Sequence, residues 1–261
     1  LSIRRQRQMC IRDRMYSVVK RLNSTLPEMV FYEAVDVCEE ILGNSHVAIY
    51  SIKADSTFAR LYVCSRRCTG SAEKSLKITD YPELLECLKN NETFFNRKAL
   101  KNYPAYATPI RREGVLVGML LIMEADYTQM NMEFSNKLRI MSDLIQDSLV
   151  RAMEFYEMGE KVIEDTRILE ADKFEELLDV KKRMRRKQYS DYVLLEIEVK
   201  DDRKLNEISR RISGLVREND VLGIGKDGKL CLLLSQTSSA DMKAVAGRLL
   251  NSGIEFEQVR E

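Results

Sequence analysis

The chain of 261 residues is long enough for two domains of ordinary size, and a content of 44% hydrophobic and 32% charged residues is typical of a globular protein. A formal net charge of +1 excludes the overall positive field of a protein that binds nucleic acid polymers, so any anion site must be local. The six cysteines form no C-x-x-C pair, and His46 is the one histidine. We therefore predict no metal site and expect free, mostly buried thiols in a reducing compartment.

The first fourteen residues stand apart from the rest of the chain. They are basic, have no apolar face of helical period and lack the apolar centre of a signal peptide. The string from Arg7 to Arg14 is similar to translated sequencing-adapter DNA. We predict that residues 1–14 are a non-native segment and that the natural upstream sequence, including membrane helices, is missing. No run in the chain itself has the length of a membrane span.

Residues 15–148 combine helix patterns with the alternating patterns of an antiparallel sheet. Two helices are predicted first, over residues 15–22 and 27–42, and the second begins at a proline and ends before Gly43. The last two strands form a hairpin around a three-residue turn, 112–114. A helix is predicted over residues 81–90, and strands over residues 47–52, 59–64, 75–78, 93–95, 106–110 and 115–123.

One long amphipathic helix is predicted from residue 131 to about residue 163. The order of elements up to this helix is similar to that of a GAF domain. Chromophore-binding members of that family attach a bilin through cysteine beside histidine. Cys64 and Cys68 have no nearby histidine, so the resemblance implies a structural role or another ligand. We assign residues 149–165 to a connecting helix, which has two interpretations: it pairs with a second copy in a homodimer, or it packs on its own sheet.

Residues 166–261 have the alternation of an α/β domain. Their order, helix, strand, helix, hairpin, helix and strand, is similar to that of a GGDEF domain. The predicted fold class is therefore α+β: a GAF-like antiparallel sheet with flanking helices, a connecting helix, and a GGDEF-like α/β domain. Helices are predicted over residues 172–187, 204–216 and 239–250, and strands over 192–199, 221–224, 230–234 and 254–259.

An R-x-x-D motif, Arg217 and Asp220, precedes the predicted hairpin by five residues. In diguanylate cyclases the same spacing joins an R-x-x-D that binds the product, cyclic di-GMP, to the G-G-D-E-F hairpin that makes it. Here Lys226 and Asp227 replace the two glycines, and Lys229 stands where the glutamate would hold a metal ion. The resemblance thus implies that catalysis is lost and that this half of the chain is not an enzyme.

The residue types of the motif suit cyclic di-GMP, which presents two guanine edges and two phosphates. A guanidinium group pairs with guanine O6 and N7 or with phosphate, and a carboxylate accepts from guanine N1–H and N2–H₂. The resemblance adds Arg248, on the helix after the hairpin, as a second arginine. The predicted ligand site is completed by second contacts from Glu218 and Asn219, and by Arg21 from the segment before the GAF-like domain.

Taken together, residues 15–261 resemble the PelD family of cyclic di-GMP receptors of Pel exopolysaccharide systems. The resemblance implies a non-catalytic receptor without a cofactor or metal, at the cytoplasmic face of the membrane. It would regulate exopolysaccharide biosynthesis and export through other Pel export proteins. Two alternatives remain open. One is a divergent diguanylate cyclase or GTP-binding domain. The other is a GAF-based signalling module that binds another small molecule, with Arg217 and Asp220 as a surface ion pair.

Overall fold

The computed structural model describes residues 16–53, 56–69, 72–158, 162–163, 166–199, 205–217, 219–238 and 241–259. The chain divides into two compact units, of which the first ends at Glu157 and the second begins at Met158. The predicted non-native segment, residues 1–14, lies outside the described residues. The domain boundaries drawn from the sequence, at residues 148 and 165, stay predictions.

The first unit is a six-stranded sheet in the order β3-β2-β1-β6-β5-β4, and every pairing in it is antiparallel. This mixed architecture, a curled antiparallel sheet with flanking helices, confirms the predicted fold class. The elements are α1 (16–22), α2 (Pro27–Leu42), β1 (Val47–Ile52), β2 (Phe58–Cys64), β3 (Ser75–Lys77), α3 (Pro82–Lys89), β4 (Phe94–Phe95), β5 (Tyr106–Arg112), β6 (Val115–Ile122) and α4 (Met132–Met158).

Helix α2 shows how the sequence defines an element in this unit. Pro27 occupies the first turn, where its missing N–H would have no partner, and Gly43 ends the helix in the left-handed conformation at φ 61°. The apolar residues between them recur at helical spacing and are buried, among them Val30, Ala34 and Cys38. Burial of a large apolar side chain such as Val30 stabilises the fold by roughly 1.5–3 kcal/mol. This gain determines which face of α2 packs against the core.

Two local predictions for this unit were wrong. The turn between β5 and β6 has two residues, Glu113 and Gly114, both at positive φ, because Arg112 already pairs with Val115. The long helix does not reach residue 163. Val162 forms an antiparallel bridge with Leu169, outside any helix. A β-branched residue such as Val162 fits the apolar period of a helix but packs equally well in extended structure.

The second unit is a five-stranded sheet in the order β11-β8-β10-β9-β7. Strand β7, which the sequence did not predict, runs parallel to β9, and the other pairings are antiparallel. One face of the sheet is covered by a core that includes Leu232, Ile212 and Leu249. The elements are β7 (Ile168–Leu169), α5 (Ala171–Arg186), β8 (Tyr192–Ile197), α6 (Leu205–Ser213), β9 (Val221–Ile224), β10 (Leu230–Ser235), α7 (Met242–Asn251) and β11 (Phe256–Gln258).

The ring of Phe174 fills the space that Gly223 leaves empty. A Cβ atom added at Gly223, in β9, would lie 2.1 Å from Cδ2 and 2.3 Å from Cγ of Phe174. Phe174 is fully buried on α5. Phe174 of α5 therefore packs directly against the middle of β9, the strand that follows the R-x-x-D motif.

The five described cysteines are thiols outside any disulfide, as predicted, and four of them are buried. Burial raises the pKa of the Cys38 thiol, and likewise that of Cys68, to about 12. Such thiols stay protonated and behave as small apolar side chains. No helix within the described residues is long and apolar enough to cross a membrane.

Candidate functional site

The R-x-x-D motif forms a compact turn between α6 and β9. Asp220 directly precedes β9, and the backbone N–H of Arg217 donates to its Oδ2 at 2.8 Å. The backbone N–H of Asp220 donates in turn to the carbonyl oxygen of Arg217 at 3.0 Å. The first and last residues of the motif are thus held together through backbone groups, while the side chain of Arg217 is exposed to solvent.

The second carboxylate oxygen of Asp220 reaches a neighbouring strand. Its Oδ1 accepts the backbone N–H of Ser235, the last residue of β10, at 3.0 Å. The β9–β10 pairing ends at Val221 and Leu233, so this side chain continues the hydrogen bonding beyond the end of the ladder. Asp220 is therefore both half-buried and fixed by two backbone donors, a rigid acceptor at the edge of the second sheet.

Two arginines affect the pKa of the Asp220 carboxylate. Burial raises the pKa of Asp220 above its ordinary value of 3.8, while the backbone bonds and the positive charges of Arg217 and Arg248 act in the opposite direction. Arg248 lies on α7, is exposed, and its Nε donates to the carbonyl oxygen of Ala244 at 3.4 Å. Arg248, which is distant in sequence, thus lies close enough for its charge to act on the carboxylate of Asp220.

The remaining predicted ligand contacts are Asn219, Glu218 and Arg21. Asn219 lies half-buried in the turn of the motif, and Glu218 is outside the described residues. Arg21, on α1 of the first unit, is paired with three carboxylates: Nε with Glu33 at 2.8 Å, Nη2 with Asp36 at 2.6 Å and Nη1 with Glu40 at 2.9 Å. Its role at the ligand stays a prediction, and Arg21 would have to leave these partners to bind a phosphate.

The β9–β10 hairpin carries lysines that pair with acidic residues of the hairpin and of neighbouring elements. Gly228 takes a positive φ of 82° at the tip, where Lys226 and Asp227 also lie. The ammonium of Lys229 lies 2.5 Å from Oε1 of Glu196, on β8, and 3.7 Å from Oδ2 of Asp227. The hydrogen bond to Glu196 raises the pKa of Lys229, so the ammonium stays charged.

The carboxylates of Glu196 and Asp227 are therefore already paired with the ammonium group of Lys229. Lys226 pairs in the same way with Glu175 of α5, at 3.3 Å. Glu198, the next acidic residue after Glu196, lies just beyond the end of β8. Within the described part of the chain, no three histidine, cysteine or acidic side chains come together in a metal-binding arrangement.

No family model and no curated protein sequence matches this chain. Several solved structures are similar to it. The alignment with the crystal structure of PelD from Pseudomonas aeruginosa PAO1 covers 96% of this chain and 90% of the PelD chain, at 17% identity and a TM-score of 0.43. PelD from Pseudomonas aeruginosa PA14 in complex with c-di-GMP aligns over 89% and 81%, at 17% identity and a TM-score of 0.36.

The chain is similar in fold to PelD. Its first half is also similar to the GAF domain of a phosphoenolpyruvate-protein phosphotransferase from Acinetobacter, which covers 54% of this chain and 93% of its own at 12% identity and a TM-score of 0.43. The expected resemblance to PelD, a GAF-like domain followed by a GGDEF-like domain, is thus confirmed as a resemblance of fold.

One polar residue of this region was not predicted from the sequence. Ser235 ends the apolar strand β10, and its backbone is the partner of Asp220. The signal available in the sequence is a serine directly after four apolar residues, Cys231 to Leu234, at a position where the side chain is still buried. Serine at the end of a strand is common, so this signal alone is weak.

Proposed function

We propose that this protein is a non-catalytic receptor that binds cyclic di-GMP at the R-x-x-D site formed by Arg217, Asp220 and Arg248. The observation that carries the proposal is that two guanidinium groups act on one half-buried carboxylate that the backbone holds in place. A carboxylate that is held in this way accepts from a ligand with little loss of its own side-chain freedom.

The chemistry of the three side chains matches the two faces of a guanine nucleotide. The carboxylate of Asp220 accepts from N1–H and N2–H₂ of a guanine, a pair of donors that adenine lacks. The exposed guanidinium groups of Arg217 and Arg248 pair with guanine O6 and N7 or with phosphate oxygens. Because the net charge of the chain is only +1, this local cluster must supply the attraction for the phosphates.

The same domain is poorly suited to cyclase chemistry. Condensation of two GTP molecules requires divalent ions bound to carboxylates, which neutralise the triphosphate charge. Lys229 instead places an ammonium group between Glu196 and Asp227, where it competes with any such ion and leaves no acidic residue at its own position. This ion pair supports a domain that senses the dinucleotide and does not make it.

The biological role follows from the resemblance to the PelD family. We propose that ligand binding changes contacts with other Pel export proteins at the cytoplasmic face of the membrane and so regulates exopolysaccharide biosynthesis and export. A homodimer that pairs through α4 and the residues after it is part of the same proposal, since α4 is long and carries exposed apolar residues such as Ile140.

Isothermal titration of the full chain with cyclic di-GMP tests the receptor function. Binding should weaken at least about tenfold in Arg217→Ala, because a charge-assisted bond is lost. Arg210→Ala removes another exposed arginine of the second unit, on α6, and should bind as the wild type does. Cyclic di-AMP and GTP serve as ligand controls. Equal binding of cyclic di-GMP by both variants, or tighter binding of GTP, would overturn the proposal.

A further inference from the structure

The side-chain hydroxyl of Ser235 is buried without a hydrogen-bond partner among the described residues. The residue is only 5% exposed. Buried polar groups without partners are rare in native proteins because the lost hydrogen bond to water is not replaced. The backbone N–H of the same residue donates to Oδ1 of Asp220 at 3.0 Å. The unpartnered hydroxyl therefore belongs to the residue that holds the proposed ligand-binding carboxylate.

A second serine in this chain shows the geometry that Ser235 leaves unused. Both the backbone N–H and the hydroxyl of Ser238 donate to Oδ2 of Asp241, at 3.3 Å and 2.7 Å. One carboxylate oxygen thus accepts from two groups of a single serine. A serine hydroxyl moves between staggered positions by rotation about the Cα–Cβ bond. In Ser235 the N–H already donates to Oδ1 of Asp220, and the hydroxyl of the same residue has no partner among the described residues.

The environment of Asp220 changes when a ligand arrives. In the free protein the carboxylate is half-buried, so part of its surface is open to solvent. A guanine placed on this carboxylate excludes that water and supplies donors from the outer side alone. A desolvated carboxylate keeps its charge only where several donors surround it. The residue that already donates its N–H to Oδ1 carries one further donor, the hydroxyl of Ser235.

We propose that Ser235 is a positioning residue of the cyclic di-GMP site, whose hydroxyl turns to Oδ1 of Asp220 when the ligand binds. The inference rests on the proposed function and extends it to a residue that does not touch the ligand. The unmade hydrogen bond disfavours the free state, and the made bond favours the complex. Both effects increase affinity, and neither requires any movement of the backbone.

Removal of the hydroxyl separates these two effects. In Ser235→Ala the free protein loses an unsatisfied buried group, so its urea unfolding midpoint should stay the same or rise. The complex loses a hydrogen bond to a charged group, so affinity for cyclic di-GMP should fall by about tenfold. An ordinary structural serine behaves in the opposite way: its removal lowers the stability of the free protein and leaves affinity unchanged.

Ser209→Ala provides the matched control. Ser209 is a buried serine of the same unit, on α6, but its Oγ already accepts the backbone N–H of Arg167 at 3.3 Å. We expect this variant to unfold at lower urea concentration and to bind cyclic di-GMP as the wild type does. The experiment is isothermal titration with cyclic di-GMP together with urea unfolding without ligand, on the full chain, for the wild type and both variants.

Each outcome either supports or overturns the positioning role of Ser235. Weaker binding by Ser235→Ala, with the unfolding midpoint kept or raised, supports the inference. Equal binding by Ser235→Ala and the wild type overturns it and leaves the receptor function intact. A lower midpoint without ligand makes Ser235 a structural residue and overturns it as well. Absence of binding by the wild type overturns the receptor function and, with it, this inference.

Discussion

The ammonium of Lys229 lies 2.5 Å from a carboxylate oxygen of Glu196, across two paired strands of the second sheet. Asp227 of the hairpin lies 3.7 Å from the same ammonium. One lysine side chain thus supplies the positive charge beside two carboxylates.

Replacement of this lysine by glutamate should turn the ion pair into a cluster of three carboxylates, with Glu196 and Asp227. We expect Lys229→Glu to unfold at lower urea concentration than the wild type, and millimolar Mg²⁺ or Mn²⁺ to restore part of the loss, because these ions bind carboxylate oxygens. The measurement is urea unfolding with and without the ion.

Lys226→Glu is the control for that variant, since it creates one like-charged pair with Glu175 in the same hairpin region. It should also be destabilised, but divalent ions should restore it less. Recovery of the same size in both variants would mean that the ions act through general screening and not through a site at residue 229.

Binding of cyclic di-GMP should weaken as the pH falls, because the proposed acceptor, Asp220, must be ionised. Burial raises the pKa of Asp220 above 3.8, so the weakening should begin at a higher pH than for an exposed aspartate. Well below that pKa, affinity should fall about tenfold for each pH unit. Titrations between pH 7 and pH 4, with circular dichroism to verify folding, measure the effect.

In Asp220→Asn the affinity should be low at every pH, and the pH dependence should disappear. An Asp220→Asn variant that binds as tightly as the wild type at pH 7 would show that Asp220 is not the acceptor for the ligand.

Gly223→Ala should be strongly destabilising. The new methyl group would overlap the ring of Phe174, with its carbon 2.1 Å from Cδ2, and a buried ring held by α5 has no free space to move into. We expect the free energy of unfolding to fall by about 3 kcal/mol, as in other overpacked cores. Urea unfolding measures this loss.

Gly247→Ala is the comparison, because a Cβ atom at that position of α7 meets nothing within 4 Å. Alanine is favoured over glycine in a helix, so this variant should gain up to about 1 kcal/mol. A destabilised Gly247→Ala would indicate that α7 is not helical at that position in solution.

Arg21→Ala should destabilise the first unit, since three carboxylates of α2 would lose their common cation. These groups are partly exposed, so screening limits the expected loss to about 1 kcal/mol. Thermal unfolding measures it. Lys98→Ala, which breaks the exposed pair with Glu83, should have almost no effect.

The same variant also decides the predicted role of Arg21 at the ligand. Since each guanidinium nitrogen is already paired within the first unit, we expect the affinity for cyclic di-GMP to change by less than about twofold, which corresponds to less than one hydrogen bond. A loss of affinity as large as that of Arg217→Ala would instead place Arg21 among the ligand contacts.

The parts of the fold that the sequence predicted well have signals that lie close together in the chain. Helix α2 was predicted with its observed ends because Pro27 and Gly43 mark them. Strand β9 was predicted between the R-x-x-D motif and the hairpin glycine, Gly228. In each case the residues that define the element and the element itself are neighbours in sequence, so contacts with distant residues have little influence on where the element begins and ends.

The parts that were missed depend on contacts between distant residues. Strand β7 has two residues, too few for any period, and exists because Ile168 pairs with Leu222 in parallel register. The site was predicted as a set of residues, but the partners of each side chain were not. Nothing local indicates that Asp220 reaches Ser235, because strand register is set by pairing across the whole sheet.

The carboxylate of Asp220 completes the hydrogen bonding of a strand end as well as forming the candidate contact with a nucleotide. Selection would therefore keep this aspartate for the sake of the fold in a lineage that no longer met the dinucleotide. In genome surveys of this architecture, the aspartate alone would then report first on the ancestry of the domain. The arginines, whose side chains are exposed, would be the first to drift once the signal was gone, and so are the better markers of a working receptor.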